Sequence, residues 1–204
     1  MNKQSSASTE PASFVFTADN LKKAEVVIAR YPPGKQAGAT MPLLDLAQRQ
    51  AGWLSRAAVD YVAGLLGVPS MRVYEVATFY TMYRLYPVGR HHVQVCTNLP
   101  CWLRGSDEIV RACRDVLGIS PGETTPDDQF TVQEVECAGA CVNAPVVQIG
   151  DDYFEDLDYT AMKAILEALG RGERLKAGSQ IGRQCSCPAS GPTTLKSVPV
   201  KGGV

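Results

Sequence analysis

His92-Val-Gln-Val-Cys-Thr-Asn-Leu-Pro-Cys101 and Phe130-Thr-Val-Gln-Glu-Val-Glu-Cys-Ala-Gly-Ala-Cys141 share one layout. Each begins with an apolar run of strand character, alternating cleanly in the first case, and runs into a pair of cysteines. The first pair, Cys96 and Cys101, is spaced C-x4-C; the second, Cys137 and Cys141, is spaced C-x3-C. If the two strands are neighbours in one sheet, the loops at their ends lie side by side and four thiols converge without distorting the fold. Such a pocket suits a binuclear iron–sulfur cluster or a structural zinc ion, with buried unligated thiols as the plain alternative. Zinc ribbons favour C-x2-C knuckles, and the wider spacings here better suit two iron atoms, each held by one pair. Gly139, flanked by Ala138 and Ala140, lets the backbone approach closely and turns amide N–H groups toward sulfur.

Around these strands, Asp107 and Glu108 open a helix that Ser106 is placed to cap, with Ile109, Val110, Cys113, Val116 and Leu117 on its apolar face. Val146–Ile149 and Asp152–Phe154 read as two strands joined at Gly150-Asp151. A last helix, capped by Asp158 or Thr160, carries Met162, Ile165, Leu166 and Leu169. The order β-α-β-β-α predicts a small mixed sheet with helices packed on it.

Residues 17–87 read as helical throughout. Thr17 caps a first helix with Leu21, Ala24, Ile28 and Tyr31 in one stripe, which Pro32-Pro33 stops. A second runs from near Pro42 through Leu43, Leu46, Ala47 and Gln50 to Gly52. A third, capped by Ser55, carries Val59, Val62 and Leu66 to Gly67. A fourth follows Pro69-Ser70 with Val73, Val76, Ala77 and Tyr80 on one side. Short amphipathic helices with brief connections predict a bundle. The expected architecture is therefore α+β: a polar arm over 1–16, an N-terminal helical bundle over 17–87, an α/β domain over 88–171 and an extended C-terminal tail over 172–204. That tail is too poor in apolar residues to fold alone and is expected to be disordered or to lie along a partner subunit.

Composition narrows the function. The 204 residues are 45% hydrophobic, enough for a core, and carry 20 Lys+Arg against 21 Asp+Glu. The near-zero balance without a basic run argues against nucleic acid as a ligand. No apolar stretch approaches the roughly 20 residues of a membrane span, so no direct membrane insertion is expected. An odd count of seven cysteines, with no secretory signal, points to metal or redox chemistry rather than a disulfide framework. No C-x-x-C occurs, which argues against a thiol–disulfide oxidoreductase. Neither G-x-G-x-x-G nor a P-loop occurs, so the chain shows no nucleotide cradle of its own.

Other residues have plainer readings. Cys113 is expected in a helix core, and Cys185 and Cys187 as free thiols in the tail. His91 and His92, on opposite faces of a strand, are given no ligand role. Trp53 is expected between helices, and Trp102 as a shield over the thiols. Glu134 and Glu136, just ahead of Cys137, are expected to share a face, either a plain solvated strand face or one whose charge lowers the reduction potential of a bound cluster.

Val95-Cys-Thr-Asn-Leu-Pro-Cys101 with Leu103-Arg-Gly-Ser-Asp107, and Val135-Glu-Cys-Ala-Gly-Ala-Cys-Val-Asn-Ala-Pro145 with Tyr153-Phe-Glu-Asp-Leu157, resemble the two ligand loops of a known family. Gly122–Asp127, Gly52-Trp-Leu54 and Val73–Tyr83 extend the likeness over roughly residues 14–190. The family is that of the [2Fe–2S] 24 kDa subunits of NADH:ubiquinone oxidoreductase, respiratory complex I. The resemblance implies a thioredoxin-like domain behind the helical bundle and one [2Fe–2S] cluster, with Cys96, Cys101, Cys137 and Cys141 in the ligand positions. It implies electron exchange with the FMN of a flavoprotein partner subunit, which binds NADH and FMN while this chain binds neither. It implies the large iron–sulfur subunit as a second partner. The implied place is the peripheral arm of a membrane complex, on the matrix side of the mitochondrial inner membrane or the cytoplasmic side of a bacterial plasma membrane. Similar subunits serve as diaphorase components of NAD-linked hydrogenases and formate dehydrogenases, which stand as the alternative beside a zinc scaffold. Two positions depart from the family: Ala138, usually Leu, and the doubled Cys185-Ser-Cys187.

Overall fold

The computed structural model describes residues 10–191 and Thr194, and its chain divides into two compact units that meet in sequence at Val88 and Gly89. The first is helical. Helices α1 (Ala18–Ile28), α2 (Thr40–Ala51), α3 (Arg56–Leu66) and α4 (Ser70–Phe79) surround one core, in which Leu43, Leu44, Val62 and Val73 are fully enclosed. The caps follow the sequence. Thr17 accepts from the N–H of Asn20, Ser55 accepts from that of Ala58, and Gly52 and Gly67 close α2 and α3. A short 3-10 turn, Gln36–Ala39, precedes α2 and starts that helix two residues ahead of Pro42. Helix α4 stops at Phe79, leaving Tyr80 extended and half exposed rather than on the packed stripe.

The segment before α1 is not wholly an exposed arm. Phe14, Phe16 and Tyr61 form a triangle of edge-to-face rings with centroids 5.4–5.6 Å apart, and Phe16 is buried. Gln50 fastens this segment, donating to the carbonyl of Val15 and accepting from the N–H of Thr17. Two aromatics in a polar run were enough to anchor it.

The second unit is built on a five-stranded sheet of order β2-β1-β3-β4-β5. Strands β1 (His91–Cys96) and β2 (Phe130–Val135) pair in parallel, with Val93 opposite Val132 and Cys96 opposite Val135. Strands β3 (Val147–Ile149) and β4 (Asp152–Glu155) continue antiparallel from β1. One face, carrying Val93, Val95, Phe130, Val132, Val147, Ile149 and Phe154, is buried beneath α6 (Ser106–Leu117) and α7 (Tyr159–Gly170). Cys113 is fully enclosed in that core, where burial pushes its thiol up to about 12. On the opposite face His92 Nε2 and Gln133 Oε1 are hydrogen-bonded at 2.8 Å.

Two expectations fail here. Ser106 is not the cap of α6: Gly105, with φ 96°, takes that position, and Ser106 lies one residue inside with its hydroxyl fully buried. The cap has to bend the chain sharply out of a preceding helical turn, which only a left-handed residue manages. For the tail, the disordered alternative fails over residues 172–191. β5 (Gly178–Ser179) adds to β4 in parallel, and Leu175 packs against the sheet core. Hydrogen bonds, rather than apolar burial, supply what its composition lacks.

Candidate metal centre

The parallel pairing of β1 and β2 decides the site. Their C-terminal ends are adjacent, so the chain leaving Cys96 and the chain leaving Val135 emerge together. They are laced at this point: the N–H of Thr97 donates to the carbonyl of Val135, and Asn98 Nδ2 donates to Glu136 Oε2 at 2.7 Å.

The first loop is a single helical turn, α5 (Leu99–Leu103), capped by Asn98 and carrying Pro100 in its first turn. This turn folds Cys101 back beside Cys96, and both are 2% exposed. Trp102 lies about 100° further around the turn and faces outward, 55% exposed, so it is no shield over the thiols. In the second loop Cys137 and Cys141 are both exposed, with Sγ atoms 3.4 Å apart. Gly139, at φ 83°, makes the reversal between them and turns its N–H toward Cys137 Sγ. Ala138, Ala140, Ala144, Val146 and Tyr153 pack around Cys96 and Cys101 as one small apolar cluster that joins the two loops. Tyr153, on β4, donates its hydroxyl to the carbonyl of Ala138 at 2.8 Å.

The electrostatics match a thiol cluster. Burial, reinforced by the Cys96 thiol, pushes Cys101 up to about 12, while the backbone N–H of Val146 opposes that shift. The N–H of Gly139 and the neighbouring Cys141 hold Cys137 below the ordinary thiol value. Cys141 is raised by its bond to Cys137 and also by the charge of Cys137 and of Cys96, which links the two loops. Among the described residues no three His, Cys, Asp or Glu side chains close on a single metal ion. The four thiols stand as two pairs, and the donor set, the amide N–H groups aimed at sulfur and the small apolar wall all fit a binuclear cluster.

Comparison with known proteins adds the lineage. The model of the thioredoxin-like [2Fe–2S] ferredoxin family matches residues 24–170. The chain belongs to that family. Among curated relatives of this ferredoxin, an NADH-quinone oxidoreductase subunit of Rickettsia bellii is 56% identical over 162 residues, 79% of the chain and 97% of the relative. The mitochondrial NADH dehydrogenase [ubiquinone] flavoprotein 2 of Dictyostelium discoideum is 48% identical over 192 residues, 94% of the chain and 78% of the relative. Among solved structures, an NAD+-reducing [NiFe]-hydrogenase in its H2-reduced state superposes with a TM-score of 0.60 at 20% identity, covering 68% of the chain and 24% of the hydrogenase chain. At that identity the likeness is one of fold. The ferredoxin carries one [2Fe–2S] cluster, as its family does.

Several residues of the site lie inside the motifs quoted above without their role being legible there. Tyr153 and Asn143 act through tertiary hydrogen bonds that local sequence does not announce. Asn98 does carry a signal, an Asn followed two residues later by Pro, which marks a helix start. Cys185 and Cys187 are not gathered with the four thiols, although the carbonyl of Cys185 accepts from Asn143 Nδ2 at 3.0 Å. Glu134 is the last exposed residue within β2, and Glu136 lies beyond the strand, tied to Asn98 rather than sharing its face.

Proposed function

We propose that this chain is the iron–sulfur electron-transfer subunit of an NADH–quinone oxidoreductase, with Cys96, Cys101, Cys137 and Cys141 as the four ligands of its [2Fe–2S] cluster. The observation that carries this reading is the parallel register of β1 and β2, which sets the C-x4-C and C-x3-C pairs side by side. The 56% identity to the Rickettsia NADH-quinone oxidoreductase component, across nearly the whole of that relative, supports the assembly. A bound [2Fe–2S] cluster supplies a one-electron store. The chain's own residues hold its sulfur ligands, keep water from the Cys96–Cys101 side and donate N–H groups that stabilise the added negative charge.

The electron partner in this reading is the FMN of the flavoprotein subunit, which takes hydride from NADH. The large iron–sulfur subunit is the second neighbour. Among the described residues no helix is long and apolar enough to cross a membrane, which suits a place in the peripheral arm. The diaphorase module of a hydrogenase is the second reading, and it draws on likeness of fold alone.

Low-temperature EPR of the dithionite-reduced protein, purified without oxygen, tests the assignment. The expected result is a rhombic signal of one reduced binuclear cluster per chain, lost or altered when each of the four cysteines is changed to Ser. A colourless protein loaded with zinc overturns it. Co-purification with a flavoprotein in a quinone-reducing membrane complex, rather than with a hydrogenase, separates the two assemblies.

A further inference from the structure

The folded part of the tail does more than lengthen the sheet. After β5 the chain turns back over the residues that follow Cys141, and Arg183 is its point of attachment. The Arg183 side chain is 10% exposed and that of Asp156 is 3% exposed, with Nη2 donating to Asp156 Oδ1 at 2.7 Å. Nη1 donates to the carbonyls of Val142 and Cys187, at 3.2 Å each. Asp156 is fixed in turn. Its backbone sits at φ 54°, its N–H donates to the carbonyl of Asn143 at 2.7 Å, and Ser179 Oγ donates to its Oδ2 at 2.7 Å. Asn143, itself buried, donates from Nδ2 to Glu155 Oε2 and to the carbonyl of Cys185.

Val142 and Asn143, the two residues after Cys141, are thus held by β4 on one side and by the tail on the other. A buried ion pair adds little net stability, because desolvation offsets the attraction between its charges. Its effect here is geometric. The planar guanidinium reaches a carboxylate through Nη2 and two backbone carbonyls through Nη1, a reach that a lysine ammonium lacks. Its buried Nε has no hydrogen-bond partner among the described residues.

We propose that Arg183, paired with Asp156, is a positioning residue for the cluster. It fixes the Val142 carbonyl, one peptide from Cys141, and so sets where Cys141 Sγ stands relative to Cys137 Sγ. The segment Gly178–Cys187 then belongs to the metal centre as its outer support. This inference rests on the four-cysteine assignment proposed above.

The test uses the full chain purified anaerobically with its cluster, as wild type, Arg183→Lys and Arg183→Gln. Iron and labile sulfide per chain, far-UV circular dichroism, the EPR line shape and the rate of iron loss to a ferrous chelator are measured on each. Arg183→Lys keeps a cation opposite Asp156 and is expected to retain the wild-type dichroism. It is expected to lose iron about tenfold faster and to show a broadened EPR signal, as outer-support substitutions at metal sites do. Arg183→Gln is expected to exceed it in both, and if that variant fails to fold, the Lys variant alone decides. Wild-type line shape and iron loss in Arg183→Lys overturn the inference while leaving the cluster assignment intact. A wild-type chain without iron overturns both.

Discussion

Glu136 is the residue at which the two cysteine loops and their charge meet. It accepts from Asn98 across the gap between the loops and stands next to Cys137. A carboxylate there opposes an added electron, although water screens an exposed group strongly. Glu136→Gln retains an oxygen for Asn98 and removes only the charge, so its effect reads electrostatics rather than geometry. The midpoint potential of Glu136→Gln is expected to rise by tens of millivolts, on the order allowed for one partly screened charge. A redox titration followed by EPR checks this, and an unchanged potential leaves Glu136 as a tie alone. Ser106 offers a second single-residue test. Its hydroxyl is buried and, among the described residues, has no hydrogen-bond partner. A capping Ser loses about 1 kcal/mol on truncation to Ala. Here Ser106→Ala is expected to leave the urea midpoint unchanged or to raise stability by up to about 1 kcal/mol, since it removes an unpaired polar group from the core.

At the scale of elements, the helical unit has its own titration. Tyr83 is buried and donates its hydroxyl to the carbonyl of Met41 at 2.9 Å. Burial, aided by the charges of Asp45 and Tyr80, pushes the phenol up to about 12 from an ordinary 10.0. The folded state therefore favours the neutral ring. Its contribution is complete below pH 10 and is lost as the pH rises toward 12; the shift corresponds to about 3 kcal/mol before solvent screening, which lowers it. Tyr83→Phe is expected to cost about 1 kcal/mol at neutral pH through the lost hydrogen bond, and to flatten the alkaline fall. Urea melts of the helical dichroism at pH 8 and pH 11 check both, and parallel slopes in the two proteins count against the assignment. The elements that sequence made legible are those whose signals are local. Whereas α1 ends at Ile28, short of Tyr31 and of the Pro32-Pro33 expected to stop it, the stripe of α3, the Thr17 and Ser55 caps and the alternation of β1 are written within a dozen residues each. So were the four thiols, whose spacing at two strand ends needed only the parallel register to bring them together. The rest depended on contacts distant in the chain. α5 is a single turn held by Asn98, and β5 is two residues that exist as a strand because β4 offers an edge. Ser106 missed its cap because Gly105 reverses the chain just before it, and Phe16 left the arm because Tyr61 receives it.

On the scale of the whole molecule, the question is how far the fold depends on what the cysteines hold. Each unit encloses an apolar core of its own, and neither core contains any of the four proposed ligands. Cys96 and Cys101 belong instead to a separate, smaller cluster at the sheet's end, and Cys137 and Cys141 are exposed. This arrangement differs from a zinc finger, in which the metal replaces a core and its removal unfolds the chain. Here a sheet in which β1 lies between β2 and β3, covered by α6 and α7, supplies burial that the loss of iron does not touch. Extraction of the metal by a chelator under anaerobic reducing conditions is therefore expected to abolish visible absorbance while preserving the far-UV dichroism of the helices and sheet. The cost falls on the two loops, whose thiols must then repel or protonate without a shared centre. The melting midpoint of the sheet-containing unit is expected to fall by about 10 °C, the scale of a ligand that binds only the folded state. Amide exchange locates the change. Protection lost over residues 97–104 and 136–144, and retained in β1, β2, α6 and α7, is the pattern that separate cores require. Collapse of protection across the sheet would mean that the metal, and not the apolar core beneath it, holds this domain together.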